Sequence, residues 1–275
     1  MIRALKLEWL KIRNYRIFWI LTGMYLLALL VITSGGTFFL QWLKSEGADF
    51  RGIDPTIIPI NDFPDIWQNT TYLASYVIFL LAFIVIISVN NDLTYHTLRQ
   101  NVIDGISKKE YLASKMLMII SMAVVSTLLI FFAGLVNGAI YSHVRGAEYI
   151  FDQMEFLAAF FYQIVIYCSL AFLLAMLIKK AGFVIVALFL YTIMFEPIVA
   201  AILINAPFFR DGIAPEIAQF FPIKAINNLI SVPFGRYIFM EIQDYVSLKS
   251  VAIATGWFVV YLGLIYYILK KRDLK

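Results

Sequence analysis

Long runs of apolar residues, separated by short polar segments, dominate the chain. Six of these runs approach or exceed the roughly 20 residues that a helix needs to cross the hydrocarbon core of a bilayer. Only the fifth run contains a charged residue, Glu196, which is followed by Pro197. The predicted spans are residues 17–40, 72–89, 116–141, 156–178, 181–205 and 250–269.

The length and uniform hydrophobicity of the runs predict helices, because transmembrane barrel strands are about ten residues long and alternate in polarity. The composition agrees: 62% of the residues are hydrophobic and 15% are charged, against about 45–50% and 25% in soluble domains. The first run is too long for a signal peptide and lacks a cleavage pattern, so we expect it to be retained. The sequence therefore predicts an all-α polytopic membrane protein in which residues 1–275 form one transmembrane domain.

Basic residues predict the orientation, because Lys and Arg are enriched in cytoplasmic loops. Fifteen of the 22 Lys and Arg residues lie on one side of the predicted spans. They fall in the N-terminal segment, the loop between spans two and three, the turn after span four and the C-terminal tail. An even number of spans brings both termini to this side, so we expect both in the cytoplasm.

The first sixteen residues predict an amphipathic helix. Leu5, Trp9 and Ile12 are spaced to share one helical face, and most of the basic residues of the segment lie off it. A basic amphipathic helix with a Trp suits the negatively charged headgroup layer of the cytoplasmic leaflet. We expect residues 1–16 to lie in this interface and to anchor the first span.

The longest predicted cytoplasmic loop, residues 91–115, carries strong local signals. Asp104 and Gly105 predict a turn. Ser107 and Glu110 form the pattern of a capping box, which predicts a helix leading into span three. The residues from Thr97 onwards are expected to extend span two beyond the membrane. The loop is thus predicted to be a helix–turn–helix that serves either as a stable connection or as a docking surface for a soluble partner.

Two predicted external segments are long. Residues 41–71 are rich in proline and acids and indicate an ordered loop or a small cap. In residues 208–249, the sequence Ala214-Pro215-Glu216 predicts a helix start with proline in the first turn. The residues that follow are too apolar for a solvated loop, so we expect short helices in the outer interface.

Glu196 is the acidic residue inside a predicted span. It follows Lys180 by ~24 Å at 1.5 Å per residue, so it lies towards the outer end of the roughly 30 Å hydrocarbon core. Pro197 removes a helix hydrogen bond beside it. Two interpretations stay open: a helix break with a partly hydrated acid, or a residue on a translocation path or proton relay, since intramembrane carboxyl groups are often functional.

Catalytic patterns are absent from the sequence. There is no P-loop, H-E-x-x-H, G-x-S-x-G or G-x-G-x-x-G pattern, and one Cys with two His residues makes a metal site unexpected. We therefore predict no catalytic residue, no metal site and no nucleic-acid partner. If a substrate moves uphill, the energy must come from another subunit.

The chain resembles the permease subunits of the type-2 ABC exporter superfamily of bacteria over essentially its whole length. The most specific part is an acid, a T-x-R pattern, a G-x-S-[RK] run and a Lys before span three. The matching positions are Asp92, Thr97, Arg99, Asp104, Gly105, Ser107, Lys108, Lys109, Glu110 and Lys115. Asp92 stands where the family usually has Glu.

The resemblance implies a permease that pairs with a second permease, a copy of itself or a sister chain, in the cytoplasmic (inner) membrane. Two ATP-binding subunits would dock beneath the pair and bind ATP and Mg, while this chain binds no cofactor. Residues 91–115 would carry the coupling helix, and residues 208–249 would form a re-entrant helical hairpin. Two other classes stay open: a stand-alone secondary carrier that uses Glu196, and a non-transporting membrane anchor or assembly protein.

Overall fold

The computed structural model describes residues 2–47, 61–144, 146–206, 208, 212–233 and 245–271. The centre of the predicted external loop 41–71, the part of the predicted re-entrant segment at 234–244 and the basic tail at 272–275 lie outside these residues. The described chain consists of helices and their connections and contains no strand in these ranges.

Helices follow one another along the described chain. In order they are α1 (Ile2–Arg13), α2 (Arg16–Ser45), α3 (Ile66–Ser75), α4 (Ile78–Thr94), α5 (Thr97–Ile103), α6 (Lys108–Tyr141), α7 (Ala147–Phe151), α8 (Glu155–Leu177), α9 (Ala181–Leu190), α10 (Glu196–Asn205), α11 (Ala214–Ala218), α12 (Pro222–Asn227) and α13 (Leu248–Lys271). A π-helix, Tyr191–Phe195, joins α9 to α10. The start of α11 has proline in its first turn, which confirms the expected helix start.

Five helical stretches are long and apolar enough to cross a membrane. They are Arg16–Gly35, Lys108–Tyr141, Ala147–Leu177, Ala181–Asn205 and Leu248–Lys271. Helices α3 and α4 together are also long and apolar enough, but the pair is bent by 44°. If this bent pair is counted as one span, the described residues contain six spans. The prediction of an all-α polytopic membrane protein is confirmed.

Helix α8 lies at the centre of the bundle and packs against α3, α4, α6 and α13. In the most apolar 18-residue stretch of this span, 78% of the residues are buried, whereas 11–28% are buried in the corresponding stretches of the other single spans. The other spans therefore carry large apolar side chains on their outer faces, such as Leu27 and Leu30 on α2. Such a surface is costly in water and stable in hydrocarbon.

A close approach between α3 and α6 depends on a glycine. Trp67 of α3 is fully buried, and its Nε1 donates a hydrogen bond to the carbonyl oxygen of Ile150 at 2.8 Å. Its ring stacks on Phe131 with 5.8 Å between the ring centroids. A Cβ atom added to Gly134 would lie 2.7 Å from the Trp67 ring. The hydrogen bond to Ile150 and the stacking on Phe131 prevent the ring from moving away.

Replacing Gly134 by alanine is therefore expected to lower the thermal stability of the purified chain. Overpacking of this kind costs about 1–3 kcal/mol, and the effect is read as a lower melting temperature in detergent by fluorescence. The matched control is Gly263→Ala on α13, where an added Cβ meets nothing within 4 Å. Equal melting temperatures for the two variants would contradict the tight packing of α3 on α6.

Candidate functional site

The segment between α4 and α6 contains a separate short helix. Helix α4 ends at Thr94, and His96 adopts a left-handed conformation with φ 55° before α5 begins at Thr97. The prediction that Thr97 and the residues after it continue span two is therefore wrong, because the left-handed His96 interrupts the helix. The chain can instead change direction there, and α5 becomes an independent element at this end of the bundle.

Gly105 ends α5 in a Schellman motif. The N–H of Ile106 donates to the carbonyl of Asn101 at 2.9 Å, and the N–H of Gly105 donates to the carbonyl of Val102 at 3.1 Å. Gly105 itself has φ +88°, a conformation that costs other residues about 1–2 kcal/mol. Both bonds satisfy carbonyl groups at the helix end, so α5 stops sharply and the chain turns towards α6.

The predicted capping box of α6 is confirmed. The Ser107 hydroxyl accepts a hydrogen bond from the backbone N–H of Glu110 at 3.2 Å, and the Glu110 carboxyl accepts from the backbone N–H of Ser107 at 2.8 Å. Two otherwise unpaired N–H groups at the helix start are thereby satisfied. The turn between α5 and α6 is thus defined by hydrogen bonds on both sides.

Most of the residues predicted to couple to an ATPase lie on one exposed surface. Thr97 and Lys108 are half-buried and Asp92 is buried, whereas the others are exposed: Arg99, Asp104, Gly105, Ser107, Lys109 and Glu110. We call the segment from Thr97 to Glu110 the α5–α6 surface. It also contacts the C-terminal end of α13, because the Lys108 Nζ donates to the carbonyl of Lys270 at 3.3 Å.

Asp92 belongs to a buried ion cluster behind this surface. The Lys115 ammonium is fully buried and lies 2.7 Å from a carboxylate oxygen of Asp92 and 2.6 Å from one of Glu8. It also donates to the Ser88 hydroxyl at 2.8 Å. Lys11 lies 3.0 Å from Asp92 and 3.3 Å from Glu8, so two cations and two acids alternate. We call Glu8, Lys11, Asp92 and Lys115 the ion cluster.

The ion cluster joins three separate parts of the chain. Glu8 and Lys11 come from α1, Asp92 from the end of α4 and Lys115 from the first turns of α6. Because Lys115 has three donors and meets three oxygen atoms, the buried charge is both paired and hydrogen-bonded, as a stable buried ion requires. Movement of the α5–α6 surface is therefore tied to the position of α1.

Helix α1 packs an acid and an apolar residue against the bundle. Glu8 and Ile12 are buried, whereas Trp9 is 52% exposed, and the placement of Leu5, Trp9 and Ile12 in the cytoplasmic interface stays a prediction. The ion pairs of Glu8 with Lys115 and Lys11 hold this side of α1 against the bundle. The side chain of Leu5 lies outside the described residues.

The sequence analysis predicted Asp92 as a site residue and matched Lys115 to the family pattern, but it did not pair the two and gave Glu8 and Lys11 no role in a site. Glu8 is the one acid in the first sixteen residues, and Lys11 follows it at the spacing of a helical ion pair. Those two signals were available. That Glu8 meets Lys115, 107 positions later, is a tertiary contact that no local pattern contains.

Glu196 is buried beneath α12. It is 5% exposed, and its Oε1 accepts a hydrogen bond from the backbone N–H of Lys224 at 2.6 Å. The expectation of a partly hydrated acid is therefore wrong. The helix irregularity also precedes the expected position, because the N–H of Glu196 donates five residues back to the carbonyl of Tyr191. This π turn accommodates Pro197, whose ring would clash in a regular α-helix.

Replacing Lys115 by methionine is expected to destabilise the chain strongly, because two buried carboxylates then lose their main partner. Breaking a buried pair in this way costs about 3–5 kcal/mol, and the melting temperature of the purified chain reports it. Adding Glu8→Gln to Lys115→Met should recover part of the loss, since one orphaned charge is removed. Exposed Lys179→Met is the control, and a melting temperature equal to this control would contradict the cluster.

Comparison with known proteins places the chain in a family. The family model described as ABC-2 family transporter protein matches residues 3–274. No curated protein matches the chain. The family match includes both the α5–α6 surface and the ion cluster. Because it extends over nearly the whole length, the chain belongs to the ABC-2 family of transporter proteins and is a permease subunit of an ABC transporter.

Proposed function

We propose that the chain is the membrane half of an exporter driven by separate ATP-binding subunits, which dock on the α5–α6 surface. Family membership implies association with an ATP-binding ABC subunit. This docking position is supported by the way in which the α5–α6 surface is held rigid. A Schellman motif, a capping box and a buried ion cluster hold a short exposed helix at one end of the bundle. A rigid projection of this kind transmits a displacement to the spans, whereas a flexible loop would deform instead.

The proposed force path runs from α5 into the spans. ATP-driven closure of the partner subunits moves α5, and the turn at Gly105 passes the displacement to α6. Because Lys115 of α6 is ion-paired with Asp92 of α4 and Glu8 of α1, these helices move together. Asp92 therefore acts as a positioning residue inside the bundle, whereas Arg99, Lys109 and Glu110 are the proposed contacts with the ATPase.

The proposed assembly contains two permeases and two ATP-binding subunits, in the cytoplasmic (inner) membrane. The excess of Lys and Arg on the side of the α5–α6 surface supports a cytoplasmic position for this surface and both termini, where ATP is present. ATP and Mg belong to the partner subunits in this proposal, since the chain has no P-loop. The family assignment favours this reading over a stand-alone carrier or a non-transporting anchor.

The first test is to purify the tagged chain in mild detergent and to identify the co-purifying proteins by mass spectrometry. A stoichiometric subunit with a P-loop is the expected result. Its reproducible absence, under conditions that keep other membrane complexes intact, would contradict the proposal.

Changes in the α5–α6 surface are expected to uncouple the complex without unfolding the permease. Gly105→Val strains the left-handed turn, and Ser107→Ala removes a cap that contributes about 0.5–2 kcal/mol locally. We expect ATP hydrolysis by the complex in nanodiscs to fall by about tenfold for Gly105→Val and less for Ser107→Ala. Lys179→Ala in the other short turn on the same side is the control. Wild-type ATP hydrolysis and wild-type recovery of the ATPase in both α5–α6 variants would show that docking occurs elsewhere.

A further inference from the structure

A cavity of about 610 Å³ lies between α8, the π-helix region and α13. Its walls are almost entirely apolar and include Phe183, Leu190, Phe195 and Trp257. The volume lies within the range of small-molecule sites, about 300–1,000 Å³, and such sites combine an apolar lining with a few polar groups. The cavity lies within a single chain and away from the α5–α6 surface.

Two buried polar atoms without a hydrogen-bond partner lie in the cavity wall or next to it in the chain. Tyr261 lines the cavity and is 2% exposed, yet its hydroxyl has no hydrogen-bond partner among the described residues. The same holds for Oε2 of Glu196, the residue that follows the lining residue Phe195. Tyr191 hydrogen-bonds to the Glu196 carboxyl group, and Tyr261 interacts with it electrostatically; both tyrosines line the cavity. Buried polar atoms are normally paired, so the Tyr261 hydroxyl and Oε2 of Glu196 are candidates for contact with a ligand.

The π-helix brings these groups together. Tyr191 begins the π turn and lines the cavity, and Glu196, which is not itself a lining residue, follows the end of the turn. Pro222 also lines the cavity, and the nearby backbone N–H of Lys224 holds Oε1 of Glu196. The backbone therefore fixes one carboxyl oxygen, and Tyr191 hydrogen-bonds to the same carboxyl group, so the acid is held behind the wall that Tyr191 and Tyr261 form. π turns are found frequently at functional sites.

The aromatic residues favour a cationic ligand. Trp257 and Tyr261 stack with ring centroids 5.7 Å apart, and the Trp257 Nε1 donates to the carbonyl of Phe220 at 2.7 Å. The indole is thus held in place with its apolar surface on the cavity. Aromatic faces attract organic ammonium groups, and no Lys, Arg or His among the described residues forms an ion pair with Glu196.

We propose that this cavity binds a lipophilic organic cation, with the apolar body in the cavity and the cationic head at Glu196, Tyr191 and Tyr261. The apolar walls supply affinity for the body of the ligand. The acid and the aromatic rings select the charge of its head. That this ligand is the transported cargo rests on the proposed function, whereas binding itself does not require the ATP-binding subunits.

The test uses three probes that share a dodecyl chain and differ in the charge of the head: dodecyltrimethylammonium, dodecanol and dodecyl sulfate. Binding of each labelled probe to the purified permease in nanodiscs is measured against empty nanodiscs. We expect saturable binding of the ammonium probe only. Glu196→Gln should weaken it by about tenfold, the loss expected for a charge-assisted contact of roughly 1.4 kcal/mol.

A second pair of variants tests the cavity independently of Glu196. Ala187 lines the cavity, so Ala187→Trp should fill it and abolish saturable binding. Val199 on α10 is exposed and does not line it, so Val199→Trp should bind like the wild type. Glu216→Gln, which removes an exposed acid, should also bind like the wild type.

The outcomes separate this proposal from its alternatives and from the proposed function. Equal binding of all three probes would overturn it in favour of a lipid chain, and undiminished ammonium binding by Glu196→Gln would overturn the role of the acid. Loss of a permease pair in Ala187→Trp would assign the cavity to subunit contact instead. Because these measurements use the permease alone, their failure leaves the co-purification of an ATP-binding subunit unaffected.

Discussion

The fully buried ammonium group of Lys115 is the interaction on which the arrangement of this permease depends. It has no water to solvate it, so the two carboxylates and one hydroxyl within 2.6–2.8 Å must replace its hydration. These oxygen atoms come from α1 and α4, while the lysine belongs to α6. The need to satisfy one charge therefore sets the mutual position of the N-terminal helix, the second span and the third span. The position of the α5–α6 surface is fixed as well, because this segment lies in the chain between Asp92 and Lys115.

Helix α13 connects the two functional regions proposed for this chain. At one end, the carbonyl of Lys270 accepts a hydrogen bond from Lys108 of the α5–α6 surface. Further along the same helix, Trp257 and Tyr261 line the cavity beside Glu196. A continuous helix is stiff over this length, so displacement of its end and the shape of the cavity are mechanically related. In the proposed complex, closure of the ATP-binding subunits and occupancy of the cavity would influence each other through α13, without contact between the two sites.

The helical class and the α6 capping box, both predicted from local chemistry, are confirmed, whereas several features that depend on distant contacts were not predicted. Uniformly apolar runs indicated the helical class, since hydrocarbon permits few other structures, and the Ser107–Glu110 box follows from two residues three positions apart. By contrast, the break at His96 carries no glycine or proline signal. The burial of Glu8 depends on Lys115, and the burial of Glu196 depends on α12. The burial of these two acids is decided by partners far away in the sequence, which a local pattern cannot contain.

The distance between Glu8 and Lys115 along the chain, 107 positions, also has a consequence for biosynthesis. At roughly 5–20 residues per second, a ribosome needs about 5–20 s to progress from one to the other. During that interval α1 has been made, and Glu8 has Lys11 as a partner but not yet Lys115. The N-terminal helix must therefore wait at the membrane surface, where water and headgroups solvate Glu8. Its docking against Lys115 can therefore follow only after the start of the third span has been made.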